Sequence, residues 1–152
     1  MKIIRYLLIY SLIFIYGCTP NKFKQDKTTR IFSNYINKEF NIQLDEKLHY
    51  FILLPKFGCH GCIKESIGEL NNIITETNKN NIIIITTNLD EFSDSLKSRI
   101  KILVDTSGKL DNLNLPIANL TLVESQDEKV NYIKSINTLE NGVSLSSLIK
   151  IH

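Results

Sequence analysis

Two cysteines separated by two residues, Cys59 and Cys62, are the side chains of this sequence best suited to chemistry. A thiolate attacks a disulfide, and a second thiol nearby then displaces the mixed disulfide that forms. The spacing therefore predicts thiol-disulfide exchange. Two alternatives stay open at this point. One is a static structural disulfide; the other is a metal site of Cys59, His60 and Cys62, which lacks a fourth ligand or a second pair of the same spacing.

The motif lies between a predicted strand and a predicted helix. Residues 48–54 form a continuous apolar and aromatic run stopped by Pro55, which predicts a buried strand. After Cys62, apolar residues recur at helical spacing, which predicts a helix that buries one face. A cysteine in the first helical turn lies near unpaired N–H groups, and these favour the thiolate. We expect Cys59 to be the exposed nucleophile and Cys62 to be the inward-facing resolving thiol.

His60, between the two cysteines, has two interpretations. When protonated it would help to hold Cys59 as a thiolate and make the pair more oxidising. The alternative is an exposed histidine of a turn with no role in the chemistry. Both interpretations stay open because histidine titrates near neutral pH.

Helix and strand signals alternate along the rest of the chain. The predicted helices cover residues 31–40, with Thr28 and Thr29 as candidate caps, then 89–98 and 143–151. The predicted strands are a buried, central parallel strand at 82–85, a strand at 100–104, and a hairpin of 120–124 and 129–136 around 125–128. This order predicts an α/β fold in which a mixed sheet has helices on both faces.

The segment Phe57-Gly58-Cys59-His60-Gly61-Cys62, set between a strand and an amphipathic helix, resembles the thioredoxin superfamily. Residues 102–109, followed by Pro116 and the hairpin, are similar to its extracytoplasmic branch, the TlpA and redoxin-like proteins. The resemblance covers roughly residues 44–151. It implies a thioredoxin-like, three-layer α/β/α fold with a central mixed sheet, and thiol-disulfide oxidoreductase activity that needs no bound cofactor and no metal.

The resemblance also assigns roles around the two thiols. The family has a cis-proline facing the CxxC motif, and Pro116 is the candidate; a proline there would expose backbone for a substrate peptide and keep a metal ligand away from the thiols. Phe57 and Gly61 are expected to modulate the site. Phe57 lies one place before the position of the family's usual tryptophan, and Gly61 stands where many members have proline.

The first residues have the layout of a secretory signal. A basic start, residues 1–5, precedes an apolar run of eleven residues, 6–16, and then Gly17 and Cys18. The run is shorter than the roughly 20 residues that span a membrane. Residues 15–18 resemble the bacterial lipobox, whose cysteine is acylated, although an ordinary secreted protein or an uncleaved anchor is the alternative. We expect a signal peptide at 1–17, a polar tether at 18–28 and a thioredoxin-like domain at 29–152.

Composition limits the remaining function classes. The chain has 152 residues, 43% of them hydrophobic, which suits one domain with a real core and excludes a disordered tail. The formal charge of +2 comes from Lys2 and Arg5, since 16 basic and 16 acidic residues follow from Cys18 onward. A neutral mature chain gives no electrostatic case for binding nucleic acid.

The sequence therefore predicts a lipid-anchored protein facing the periplasm, on the inner or the outer membrane. Its predicted partners are the thiols and disulfides of envelope proteins and a redox partner protein. One alternative is a non-catalytic thioredoxin-like lipoprotein whose disulfide is structural and which serves as a binding module. The other is a lipoprotein that handles metal through cysteine and histidine.

Overall fold

The computed structural model describes residues 20–56, 64, 67–71, 73–74, 79–117, 120–136 and 145–149. The strands are β1 His49–Leu54, β2 Ile82–Thr86, β3 Lys101–Val104, β4 Leu120–Gln126 and β5 Lys129–Ile136. The helices are α1 Pro20–Phe40, α2 with described residues 64, 67–71, 73 and 74, α3 Asp94–Lys97 and α4 Leu145–Leu148. Short 3-10 helices cover Lys79–Asn81 and Leu110–Asn112.

The five strands form one mixed sheet in the order β3-β2-β1-β4-β5. The first three strands are parallel to one another, whereas β4 runs antiparallel to both β1 and β5. The four isoleucines that begin β2 are buried, as expected for a parallel strand covered on both faces. The predicted α/β class and the predicted mixed sheet are confirmed.

Helical residues cover both faces of the sheet. Alternate residues of a strand point to opposite faces, so Ile52 of β1 packs with α2 and α3 in one apolar cluster. Phe51 belongs to the second cluster, with α1 and the 3-10 helix Leu110–Asn112. On that face the Phe32 and Phe51 rings meet edge to face, with centroids 5.1 Å apart. The sheet is therefore the middle layer between helices.

The predicted hairpin is present, and its turn is tight. Gln126 pairs with Lys129, so only Asp127 and Glu128 connect β4 to β5. Both have positive φ, 54° and 61°, which is the geometry of a two-residue type I′ turn. This turn matches the right-handed twist of the two strands that it joins.

Helix α1 begins earlier than the sequence predicts. It starts at Pro20 and so includes most of the stretch expected to be a tether, because proline is tolerated in a first helical turn. Thr28 and Thr29 lie inside the helix and do not cap it. The Thr29 Oγ1 instead accepts a hydrogen bond from the Val130 N–H at 3.0 Å. In the part of the chain that the structure describes, no helix has the length and apolar character needed to cross a membrane.

Helix α3 is shorter than the predicted 89–98. Only Asp94–Lys97 is helical, and Ser93 caps it by accepting a hydrogen bond from the Leu96 N–H at 3.3 Å. Asn88 accepts one from the Asp90 N–H at 3.0 Å, which holds the preceding residues in a turn. For the predicted C-terminal helix 143–151, the described part is helical over Leu145–Leu148.

Candidate functional site

Except for Pro116, the residues predicted to form the site lie outside the described residues. These are Cys59, Cys62, Phe57, His60 and Gly61, together with the predicted lipidation site, Cys18. The structure describes the chain on both sides of the CxxC motif. The central strand β1 ends at Leu54, and Lys64 is helical.

The two described residues that follow β1, Pro55 and Lys56, form the β1 exit, which leads toward the motif and is held in place. Pro55 is buried and Lys56 is exposed. The Lys56 backbone N–H donates a 2.8 Å hydrogen bond to Asp111 Oδ1, from the 3-10 helix that follows β3. The backbone three residues before Cys59 is therefore fixed to another part of the fold.

A cavity of about 510 Å³ opens beside this exit, at the carboxyl ends of the three parallel strands. Open α/β sheets bind their ligands outside the carboxyl ends of strands. Its lining combines hydroxyl, amide and carboxyl groups with one lysine and with two apolar residues, one at the end of β1 and one directly after it. The lining residues are Leu54, Pro55, Lys56, Thr86, Thr87, Asn88, Glu91, Asp105, Thr106, Gly108 and Asp111.

A buried carboxylate, Asp105, organises the β3 side of the cavity. Its Oδ2 accepts hydrogen bonds from the Tyr35 hydroxyl at 3.1 Å and the Leu110 N–H at 2.5 Å. Its Oδ1 accepts from the Ser107 N–H at 3.0 Å and from the Ser107 hydroxyl at 2.7 Å. Burial alone would raise the pKa of Asp105, but these hydrogen bonds outweigh it and hold the pKa below its usual value. Burial and the neighbouring Asp105 charge raise the pKa of Tyr35.

The end of α1 is fastened to the same loop. The Ser107 Oγ lies 2.7 Å from Asp105 Oδ1 and 2.7 Å from Glu39 Oε2, although a hydroxyl can donate only one proton at a time. Lys109 donates a 2.5 Å hydrogen bond to Glu39 Oε1. The hydrogen bonds from Lys109 and then Ser107 lower the pKa of Glu39. The loop after β3 is thus joined to α1 by two contacts in addition to Tyr35.

Asp105 and Asp111 shape this region but are not among the site residues predicted from the sequence. An acidic residue directly after an apolar strand, followed by Ser and Gly two and three places on, is typical of a side-chain-stabilised turn. Gly108 has φ of 67°, which glycine adopts without strain. That local signal marks the turn at Asp105, but the sequence contains no local sign that Asp111 contacts Lys56.

Pro116 is exposed and precedes β4 by four residues. All described peptide bonds are trans, including the one before Pro116. The Leu115 N–H donates to the Leu113 carbonyl at 2.7 Å, and the Leu115 carbonyl accepts from the Ile117 N–H at 2.7 Å. These are two consecutive three-residue turns. The segment differs from the family's cis-proline in the isomer of this bond, and the role of Pro116 stays a prediction.

Among the residues that the structure describes, no group of three or more His, Cys, Asp or Glu side chains is placed to hold a metal ion. His49 pairs through Nε2 with Asp45 Oδ1 at 2.9 Å, at the opposite end of β1. The candidate trio Cys59, His60 and Cys62 lies outside the described residues.

Comparison with known proteins gives no relative: no family model, no curated protein and no solved structure matches this chain. A CxxC motif follows the anchored exit of the central strand, and a polar cavity lies beside that exit.

Proposed function

We propose that this protein is a lipid-anchored thiol-disulfide oxidoreductase that exchanges disulfides with proteins of the bacterial envelope through Cys59 and Cys62. The observation that carries the proposal is the place of the motif between the described elements. Cys59 follows the last residue of β1, Leu54, by five residues, and the helical residue Lys64 follows Cys62 by two. A helix that starts beside the motif would stabilise a thiolate through its unpaired N–H groups and its dipole.

The exchange needs two thiols and no cofactor. The Cys59 thiolate attacks one sulfur of a substrate disulfide, forms a mixed disulfide and releases the other sulfur as a thiolate. Cys62, once deprotonated, attacks Cys59, which breaks the mixed disulfide and releases the second substrate thiolate. Two electrons pass to the substrate, and the Cys59–Cys62 pair becomes a disulfide. A partner dithiol protein then reduces this pair, or the same steps run in reverse to oxidise a substrate.

The architecture supports a thioredoxin-like assignment without requiring it. The motif follows a buried central strand, parallel strands lie on one side of that strand, and an antiparallel hairpin lies on the other. Helical residues cover both faces of the sheet. Pro116 precedes the hairpin strand that pairs with β1, which is the place proposed for the family's proline.

The envelope location is proposed from the sequence. Removal of residues 1–17 would leave Cys18 as an acylated N-terminus facing the periplasm. Helix α1 begins at Pro20, two residues later. An anchor at Cys18 would therefore connect almost directly to a helix whose later turns pack on the sheet.

Cysteine variants test the proposal, with Cys18→Ser as the background and the matched control. We expect the Cys18→Ser chain to reduce insulin in the presence of dithiothreitol, further Cys59→Ser to abolish the reaction, and further Cys62→Ser to trap a mixed disulfide through Cys59. A redox titration should give a reversible couple between about −270 and −120 mV, the range of exchange proteins. A potential below about −300 mV, with no loss of activity in Cys59→Ser, would instead indicate a structural disulfide.

A further inference from the structure

The cavity beside the β1 exit carries two carboxylates whose charge is not neutralised by an ion pair in the described part of the chain. Glu91 and Asp111 both line the cavity, and both are half-buried. The ion pairs found among the described residues involve other groups. Among the described residues, the Lys56 backbone N–H donates a hydrogen bond to Asp111. The Lys56 side chain is exposed.

The shape and position of the cavity suit part of a polypeptide. Its volume of about 510 Å³ falls within the range of sites that bind small ligands or a few residues. Leu54 and Pro55, both buried, form the apolar floor of the cavity, and Thr87 and Thr106 supply hydroxyls for the backbone of a bound chain. Lys56 lines the cavity and is three residues from Cys59, so their Cα atoms are at most about 11 Å apart.

We propose, on the basis of the redox function above, that this cavity binds the substrate polypeptide beside its reacting cysteine and selects a basic side chain there. The charged end of a lysine or arginine lies between Glu91 and Asp111, while its apolar stem lies over the cavity floor that Leu54 and Pro55 form. The three acidic residues of the lining outnumber its one basic residue, Lys56, whose side chain is exposed. A concave site with a net charge of one sign concentrates ligands of the other sign. The buried charge of Asp105 in the same wall adds to the negative potential.

Three disulfide-linked peptides that differ only in the residue next to the cysteine, as Lys, Gln or Glu, test the selection. With the reduced protein we expect kcat/KM for the Lys peptide to be about threefold higher than for the Gln peptide. We expect kcat/KM for the Glu peptide to be lower than for the Gln peptide by a similar factor, since partly exposed ion pairs have effects of this size. Glu91→Gln should shrink both differences. Adding Asp111→Asn, which keeps an oxygen for the Lys56 N–H, should make the three peptides equal.

The matched control is Asp90→Asn. Asp90 is adjacent to Glu91 and exposed, and it does not line the cavity. It carries the same charge, so its removal should leave the order of the three peptides unchanged. An equal effect of Asp90→Asn and Glu91→Gln would overturn the inference, because it would show that general surface charge sets the preference. Circular dichroism confirms that each variant is folded.

A binding measurement separates this inference from the redox proposal. The full chain with Cys59→Ser and Cys62→Ser is titrated into fluorescein-labelled peptides in which serine replaces cysteine, and anisotropy is recorded. One result would refute the redox function and keep the basic-peptide site. No peptide disulfide would react with the reduced native chain, but binding would keep the order Lys, Gln, Glu and lose it when Glu91→Gln and Asp111→Asn are combined. Equal binding of the three peptides overturns the site whatever the redox result.

Discussion

Replacing Asp105 with alanine should cost about 3 kcal/mol of stability. The substitution removes the acceptor of the Tyr35 hydroxyl and of the Leu110 N–H, and both hydrogen bonds are buried. A buried donor left without a partner costs about 1–3 kcal/mol, so two at about 1.5 kcal/mol each give the total. That is a large part of the roughly 5–15 kcal/mol that stabilises a domain. For a urea m-value of about 2 kcal/mol/M, the unfolding midpoint should fall by about 1.5 M.

The same carboxylate should contribute to the acid sensitivity of the fold. Its pKa is lowered in the folded protein, so the unfolded state binds the proton more readily. The contribution is complete above the unfolded pKa, near 3.9, and is lost as the pH falls through the lower, folded pKa. Asp105→Asn cannot titrate, so its stability should depend less steeply on pH below about 4.

Urea unfolding checks the predicted stability loss of Asp105→Ala and the predicted pH dependence of Asp105→Asn. It is monitored by circular dichroism at pH 7 and at steps down to pH 3. Asp127→Asn is the control, because Asp127 is an exposed turn residue with positive φ, a conformation that asparagine tolerates equally well. A loss below about 0.5 kcal/mol for Asp105→Ala, the size of ordinary surface substitutions, would refute the argument that this carboxylate organises the loop.

Three further changes test other parts of the fold. Asp111→Ala should speed hydrogen exchange of the Lys56 amide measured by NMR and lower stability by about 1 kcal/mol, whereas Asp111→Asn should keep slow exchange. Leu70→Ala removes a fully buried side chain from the α2 face and should cost about 2–5 kcal/mol in urea unfolding. Glu128→Gly should raise the thermal midpoint, since a non-glycine residue at φ of 61° is strained by about 1 kcal/mol; an unchanged or lower midpoint would contradict the turn assignment.

The sheet could be predicted because its signals are local. The isoleucine run of β2, the apolar run of β1 stopped by Pro55 and the polar residues between β4 and β5 each mark one element without reference to the rest of the chain. The first turns of α1 could not be predicted in this way, since they lack an apolar stripe and local periodicity therefore does not detect them.

For the candidate site too, local features could be predicted from the sequence and contacts between distant residues could not. The CxxC motif and its place after a strand can be read from neighbouring residues. The loop that borders the cavity depends on contacts between distant residues: Tyr35 and Asp105 are 70 residues apart, and Lys56 and Asp111 are 55 apart. Their pairing depends on how α1 and the 3-10 helix pack on the sheet, and a pattern within one segment carries no information on that.

The contact between Thr29 and the Val130 N–H concerns β5, which is the last strand of the sheet. The unpaired backbone groups of an edge strand can pair with a strand of another chain, and many proteins block such an edge with a helix, a loop or charged side chains. Here a threonine from α1 occupies one backbone donor, and Lys129 and Lys134 add positive charge along the same strand. A protein concentrated on a lipid surface meets copies of itself far more often than one in bulk solution. Helix α1, next to the proposed anchor, would thus also hinder the pairing of β5 strands between neighbouring copies on the membrane.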